Sequence, residues 1–328
     1  MKNRTLRGNF SGAQHLKGFS LIELMVSLAI GLLILAASLS AYLGASKASK
    51  LAQAQGHMNE DAQAALNILT QQLQMAGNNP IQAGRTYVSR SNPVYAPTVF
   101  ATGSYVTSDF AVRGCDGPFS NVTTAARIDD LRCEDGTSGF VAISYEADVF
   151  NTVPTDNLPT DCLGFKLEKI TATFPALPPT TADYYVADNR FYIATAAPRD
   201  SPSLYCRGNG VGSTALPLVE NVEDMQFTYG VVEDSTNVKS APVAGYLSAH
   251  AIGEILPLFT TLPADAERWG NVISVRVCVL LRSDAPVLAD LTAAQYYNCA
   301  NPSTLVSAPD LRLRRAYSTT VVLRNRRP

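Results

Sequence analysis

The chain has 328 residues, of which 46% are apolar and 16% are charged, and its formal net charge is -2. This composition is typical of a globular protein and excludes a wholly disordered chain, and the length allows one large domain or two small ones. The near-neutral charge gives no indication of direct nucleic-acid binding. The first 18 residues differ from the rest, because they carry four basic residues and no acid: Lys2, Arg4, Arg7 and Lys17. A short basic segment in front of an apolar run is a targeting pattern.

The apolar run covers residues 19–43 and contains a single charged residue, Glu23. As a helix it would be about 37 Å long, enough to cross a hydrocarbon core of about 30 Å. It is too long for the apolar part of an ordinary secretory signal, which has about 7–15 residues. Because the basic residues precede it, we expect the N-terminus to stay in the cytoplasm and the remainder to lie beyond the inner membrane.

Glu23 is the unusual residue of this segment, because a carboxylate in a membrane helix costs a few kcal/mol. Cleavage between Gly18 and Phe19 would create an α-amino group, which is largely cationic at neutral pH. Glu23 of one subunit could then pair with the amine of a neighbour, and that attraction is strong in a low-dielectric setting. The alternative is that Glu23 lies at the headgroup level and is hydrated.

The sequence from Lys17 to Val26, KGFSLIELMV, resembles the prepilin-peptidase recognition site of type IV pilins and type II secretion pseudopilins. The resemblance implies that Gly18 precedes the cleaved bond. It also implies that Phe19 becomes an N-methylated N-terminus and that Glu23 is the acid needed for subunit recruitment.

Helical periodicity continues beyond the apolar run, with apolar residues spaced by three, four or seven positions: Leu51, Met58, Ala62, Ala65, Leu69, Leu73 and Ala76. Gly77 is a helix stop. We therefore predict a leader at 1–18, a helix at 19–76 whose 19–43 part is the transmembrane and assembly segment, and a globular head at 77–328. Gly31 and Gly44 are either points where the helix could bend or positions of close helix packing.

Within the head, runs of β-branched and aromatic residues predict five strands: Phe140–Phe150, Tyr184–Thr195, Met225–Val232, Val272–Leu281 and Tyr317–Leu323. Long connections separate them, with loop candidates at 175–179, 234–245 and 257–265. The predicted fold class is α+β, with the long N-terminal helix packed on an antiparallel β-sheet head with long loops, as in type IV pilins.

Three stretches of the head resemble minor pilins of the PilW kind and the related J-type pseudopilins: Leu218–Gly230, Val275–Ser283 and Thr319–Asn325. The resemblance implies a minor pilin that initiates or caps pilus assembly and so supports adhesion, twitching motility or DNA uptake. It also implies the partners, namely the prepilin peptidase/N-methyltransferase, other minor pilins, the major pilin and the inner-membrane assembly platform.

All six cysteines lie in the head: Cys115, Cys133, Cys162, Cys206, Cys278 and Cys299. No two form a C-x-x-C pair, and an even number after an export signal favours disulfides in an oxidising compartment over buried free thiols. Six cysteines allow 15 pairings, among which the sequence does not choose. Our guess is that near neighbours pair, Cys115 with Cys133, Cys162 with Cys206, and Cys278 with Cys299.

The sequence offers little catalytic chemistry. His250 is the one histidine of the head, and neither a G-x-S-x-G elbow nor a P-loop is present. The run Gly208, Gly210 and Gly212 indicates a loop between strands. Four acids near two of the cysteines could bind Ca²⁺ but more often form a solvated loop: Asp129, Asp130, Glu134 and Asp135. We expect no enzyme activity, no cofactor and no metal site.

Six arginines lie in the last 17 residues: Arg312, Arg314, Arg315, Arg324, Arg326 and Arg327. They could contact an acidic neighbouring subunit, but charge runs usually form a solvated face, and we favour solvent-facing positions on the final strands.

Two other functions remain open at this stage. One is a minor pseudopilin of a type II secretion system, and the other, from a different class, is a membrane-anchored periplasmic enzyme or binding protein. Gene neighbourhood would distinguish the pseudopilin from a minor pilin, since one lies in a secretion operon and the other among pilus genes. The enzyme or binding protein predicts an uncleaved anchor or a ligand-binding cleft.

Overall fold

The computed structural model describes residues 18–79, 94, 100–102, 110–174, 180–195, 197, 200–232, 242–254 and 265–325. Residues 1–17 of the predicted leader, the predicted loop at 175–179, residues 234–241 and 257–264 of the two other predicted loops, and Arg326 and Arg327 lie outside these residues. The chain divides into two compact units, one reaching Leu51 and the other beginning at Ala52.

A single helix, α1, runs from Leu21 to Met75. It continues through Gly31 and Gly44, so neither glycine interrupts it. Leu, Ala and Gln are the most frequent residues of its sequence and are good helix formers, which suits a helix of this length. In the first unit its side chains are exposed almost throughout.

In the second unit α1 buries one stripe, formed by Met58, Ala62, Ala65, Leu69 and Leu73. The spacing of three or four residues places these side chains on one face, as the periodicity predicted. The helix ends at Gly77, which has φ of 68° and therefore takes the left-handed conformation that glycine adopts without strain. The Gly77 N–H donates to the Ser144 carbonyl over 2.9 Å, which joins the helix end to the head.

The head contains thirteen described strands, and every pairing between them is antiparallel: β1 (Phe100–Thr102), β2 (Val112–Cys115), β3 (Phe140–Glu146), β4 (Lys169–Phe174), β5 (Thr180–Ala194), β6 (Ser203–Arg207), β7 (Leu216–Glu220), β8 (Val222–Val231), β9 (Gly245–Leu247), β10 (Val272–Arg282), β11 (Gln295–Tyr297), β12 (Leu305–Ser307) and β13 (Arg314–Val322). Three short helices complete the described elements: a 3₁₀ turn (Ile128–Asp130), α2 (Ala249–Glu254) and α3 (Asp265–Gly270).

These strands form two principal sheets. The first has seven strands, in the order β1-β4-β5-β3-β2, with β6 paired to β5 and β7 paired to β6. The second has four strands in the order β13-β10-β8-β9, and β11 and β12 form a separate two-stranded ribbon. Both sheets and the buried stripe of α1 contribute to one hydrophobic core.

The chain passes from the first sheet to the second through one residue, Asn221, which separates β7 from β8. Asn221 has φ of 61°, a conformation that asparagine tolerates better than most residues. Its side-chain oxygen accepts a hydrogen bond from the Ser201 hydroxyl over 2.7 Å, and its carbonyl accepts from the Arg282 N–H over 3.0 Å. Asn221 therefore fixes the corner between the two sheets.

The predicted α+β fold class is confirmed, and the five predicted strands correspond to β3, β5, β8, β10 and β13 within a few residues at each end. The short strands were not predicted, because segments of three to six residues carry too little periodicity. The glycine-containing segment 208–212 is the predicted loop, and it connects β6 to β7.

Candidate assembly site

The start of α1 is closed by a reciprocal pair, Ser20 and Glu23. The Ser20 N–H donates to Oε2 of Glu23 over 2.9 Å, and the Ser20 hydroxyl donates to the same oxygen over 3.1 Å. In return the Glu23 N–H donates to Oγ of Ser20 over 3.3 Å. Ser20 is the N-cap and Glu23 the third helical residue, so the pair is a capping box that satisfies two otherwise free backbone donors.

The apolar segment that follows is exposed within its own unit. Phe19 is 88% exposed and Leu21 is 79% exposed, and the large apolar side chains from Ile22 to Leu43 are each more than half exposed. Exposed apolar surface of this extent marks a membrane or protein interaction site. Within the described chain, α1 is also the one helix long and apolar enough to cross a membrane, judged by length and composition.

The predicted processing residues Gly18, Phe19 and Glu23 thus lie together, on the exposed start of one helix. Ser20 is a site residue that we did not predict. The spacing Ser20-x-x-Glu23 is that of a capping box, and the sequence pattern could have identified it.

A buried polar cluster holds the second half of α1 on the head. The fully buried Asn189 on β5 donates to Oε1 of Gln72 over 2.8 Å and to the Tyr145 hydroxyl over 3.3 Å. Its own oxygen accepts from the Cys162 N–H over 3.0 Å. Burial raises the pKa of Tyr145 to about 12, so this phenol stays protonated as a hydrogen-bonding group. On the second sheet, the Tyr317 hydroxyl donates to Oδ1 of Asn59 over 2.6 Å.

All six cysteines form disulfides, and the pairs are those of near neighbours: Cys115–Cys133, Cys162–Cys206 and Cys278–Cys299. Their Cα atoms are 5.6, 6.6 and 5.6 Å apart, within the usual range for a disulfide. The third bond attaches the segment that follows β11 to β10. Three disulfides indicate folding in an oxidising compartment.

One expectation about the C-terminal arginines is wrong. The side chain of Arg314 is 1% exposed rather than solvent-facing, and it binds Glu223 through Nη2 over 2.9 Å and Asp310 through Nη1 over 2.6 Å. A charged group is buried only when it is paired and hydrogen-bonded, and Arg314 meets this condition with two carboxylates. Its guanidinium also lies 5.6 Å from the ring centre of Tyr296 on β11. Arg312 is partly buried and donates to the Ser283 carbonyl over 2.8 Å, whereas Arg315 and Arg324 are exposed, as expected.

Two of the four acids considered for Ca²⁺ form ion pairs with an arginine. Arg127 pairs with Asp129 over 3.0 Å and with Asp130 over 3.4 Å. Over the described residues, no group of three or more histidines, cysteines and acids is arranged to hold a metal ion.

His250, the histidine of the head, is exposed beside an open cleft of about 610 Å³. The backbone N–H groups of Ala249 and His250 donate to the Asp116 carboxylate, each over 2.9 Å. Asp116 therefore caps the short helix α2. It also lines the cleft, and this capping role explains its position there.

Comparison with known families gives two matches. Residues 15–39 match the family model of the prokaryotic N-terminal methylation motif, and residues 184–325 match that of the type IV pilus-assembly protein W, PilW. Comparisons with curated proteins and with solved structures found no match.

A methylation-type N-terminus on a long apolar helix, followed by an antiparallel β head, defines a type IV pilin-like protein. Within that class the chain is PilW-like, since the PilW match begins in β5 and includes β8, β10 and β13. The resemblance to PilW-type minor pilins that the sequence indicated is confirmed. The N-terminal segment is consistent with membrane anchoring and pilus association, and with processing by a prepilin peptidase.

Proposed function

We propose that this protein is a minor pilin, a structural subunit that initiates or caps assembly of a type IV pilus and so supports adhesion, twitching motility or DNA uptake. The observation that carries the proposal is the combination of a prepilin-type N-terminus with a PilW-like head in one chain. This combination favours a structural role over an enzymatic one.

The chemistry of assembly follows from the start of α1. Removal of residues 1–18 leaves an amine on Phe19, which N-methylation keeps basic and cationic near neutral pH. Ser20 donates twice to Oε2 of Glu23, and within the described residues Oε1 accepts no hydrogen bond. Oε1 is therefore the oxygen that a neighbouring subunit's amine would meet, and the attraction gains strength away from water.

The same proposal gives the location and the partners. The unassembled chain spans the inner membrane once, with its N-terminus in the cytoplasm and its head in the periplasm, and it later joins the fibre at the cell surface. Its partners are the prepilin peptidase/N-methyltransferase, the assembly platform of the inner membrane, other minor pilins and the major pilin. A separate cytoplasmic ATPase would supply the energy.

Deletion of the gene tests the proposal, with surface pili and twitching motility scored beside secretion of a reporter enzyme. Loss of pili with normal secretion supports the minor pilin. Loss of secretion with normal pili would instead support a type II secretion pseudopilin, whose N-terminus has the same pattern. If neither changes and the leader is retained, the chain is a membrane-anchored periplasmic protein of another kind.

A further inference from the structure

The open edges of the two principal sheets differ greatly in length. Most edge strands are short, with three residues in β1, four in β2 and three in β9. Strand β7 has five residues, contains Pro217, and meets β6 with a register shift. Short strands, proline and bulges are the devices by which proteins block edges against pairing with other chains.

Strand β13 is an edge strand without these devices. It has nine residues, pairs with β10 in one unbroken register, and contains no proline. From Ala316 to Val322 it has no charged residue and is rich in serine, threonine, valine and tyrosine, which suit a strand. Within the described residues it is the longest regular edge.

The backbone groups that face the open side of β13 can be identified from its pairing with β10. The Leu323 N–H donates to the Ile273 carbonyl over 2.9 Å, and the Leu313 carbonyl accepts from the Ser283 N–H over 2.8 Å. In an antiparallel pair, successive residues alternate in the direction of their N–H and C=O groups. The backbone N–H and C=O groups of the odd-numbered residues of β13 therefore point toward β10. Those of the even-numbered residues, including Ser318 and Thr320, point toward the open side.

Exposed charges mark both ends of this edge. Arg315 lies near its beginning and Arg324 just after its end, and both are exposed. An antiparallel strand from a second copy that overlapped the whole edge would place Ser318 opposite Ser318 and Arg315 opposite Val321, because Ser318 is the middle residue of β13. Neither Arg315 nor Arg324 would then face an acid, whereas a strand with opposite charges at these positions gains from charge pairing.

We propose that the edge of β13 binds an extended segment of another subunit, which adds a strand to the sheet and has an uncharged middle and an acid at each end. Main-chain hydrogen bonds to the even-numbered residues would provide affinity, and the two arginines would select the register. That the segment comes from another subunit rests on the proposed function. The availability of the β13 edge is a structural observation that is independent of the proposed function.

The test uses the full-length protein in detergent and two fluorescent ten-residue peptides, ETVTVTVTVE and KTVTVTVTVK, followed by fluorescence polarisation. We expect saturable binding of the acid-ended peptide and at least about tenfold weaker binding of the lysine-ended one, which corresponds to about 1.4 kcal/mol. The variant Ser318→Pro removes an outward N–H and should weaken binding similarly, whereas the control Ser318→Ala retains it.

A charge-swap variant, Arg315→Glu with Arg324→Glu, protects the test against misfolding of the proline variant, because it should reverse the preference between the two peptides. The proposal is overturned if no binding is seen up to about 1 mM, a free energy near -4 kcal/mol. Equal binding of both peptides, or an unchanged preference after the charge swap, also overturns it. Peptide binding does not depend on piliation, so its failure is distinguishable from failure of the proposed function.

Discussion

Ser20 donates both its N–H and its hydroxyl to one carboxylate oxygen of Glu23, over 2.9 and 3.1 Å. The single acid of the apolar segment is thus partly satisfied by its own chain before any neighbour is present. This lowers the cost of placing a carboxylate in a membrane helix, because a hydrogen-bonded polar group is less costly to bury than a free one.

Glu23→Gln and Ser20→Ala separate the charge of Glu23 from its capping role. Glutamine also serves at the third helical position of a capping box, so Glu23→Gln keeps the cap and removes the charge. We expect Glu23→Gln to insert into the membrane normally but to be absent from pili. Ser20→Ala should be incorporated, with a helix start weakened by about 1 kcal/mol. Membrane fractionation and immunoblots of sheared pili measure both.

Glu60→Gln is the matched control, because Glu60 is an exposed acid of the same helix outside the apolar segment. Incorporation of Glu23→Gln at the level of Glu60→Gln would contradict a role for the Glu23 charge.

Arg314→Met should destabilise the head by about 2–4 kcal/mol. The change leaves Glu223 and Asp310 without their buried cation, and loss of one partner of a buried ion pair is strongly destabilising. Both acids are partly exposed, which limits the cost. Urea denaturation measures the difference. Arg315 is the neighbouring exposed residue and provides the control, since the stability of Arg315→Met should stay within about 0.5 kcal/mol of the wild type. Equal effects of the two changes would show that Arg314 does not stabilise the head as a buried ion pair.

The difference in stability between the wild type and Arg314→Met should depend on pH. The hydrogen bond from Arg314 holds the pKa of Asp310 below its ordinary value. A lowered folded-state pKa gives stability that is present above the unfolded value of about 3.9 and is lost as the pH falls through the folded one. We therefore expect the stability advantage of the wild type over Arg314→Met to shrink below about pH 4.

Burial raises the pKa of Asp224, which has the opposite effect on stability as the pH falls. The wild type and Arg314→Met both contain Asp224, so its effect cancels in the difference between their free energies of unfolding. A stability difference that is constant from about pH 5 to about pH 2 would rule out the proposed linkage.

Asn221→Val should destabilise the corner between the sheets by about 1–3 kcal/mol. A β-branched residue is strained at φ of 61°, and valine also loses the hydrogen bond from Ser201. Asn221→Gly relieves the strain and should cost less than Asn221→Val, even though it loses the same hydrogen bond. Thermal unfolding of both variants is the measurement, and a larger loss for glycine than for valine would show that the backbone conformation is not the cause.

The parts of the fold that could be predicted are those with a long periodic signal. The apolar residues of α1 and the β-branched runs of β5, β8 and β10 each extend over ten residues or more. The prepilin pattern around Gly18, Phe19 and Glu23 could be predicted because it is a contiguous motif.

The rest depends on contacts between residues distant in sequence. The sequence around Arg314 predicts a surface residue, because Glu223 lies 91 positions earlier and only the pairing of strands in the second sheet brings the two side chains together. Asn189 likewise gives no signal of its contact with Gln72, 117 positions away. The corner at Asn221 requires a conformation that no pattern of polar and apolar residues specifies.

The most direct test of the assembly role is the intact mass of the protein purified from cell envelopes. We predict a chain that begins at Phe19, carries one N-methyl group and retains three disulfides. A mass that includes residues 1–18 in the presence of an active prepilin peptidase would contradict processing, and with it the assignment of this chain as a pilus subunit.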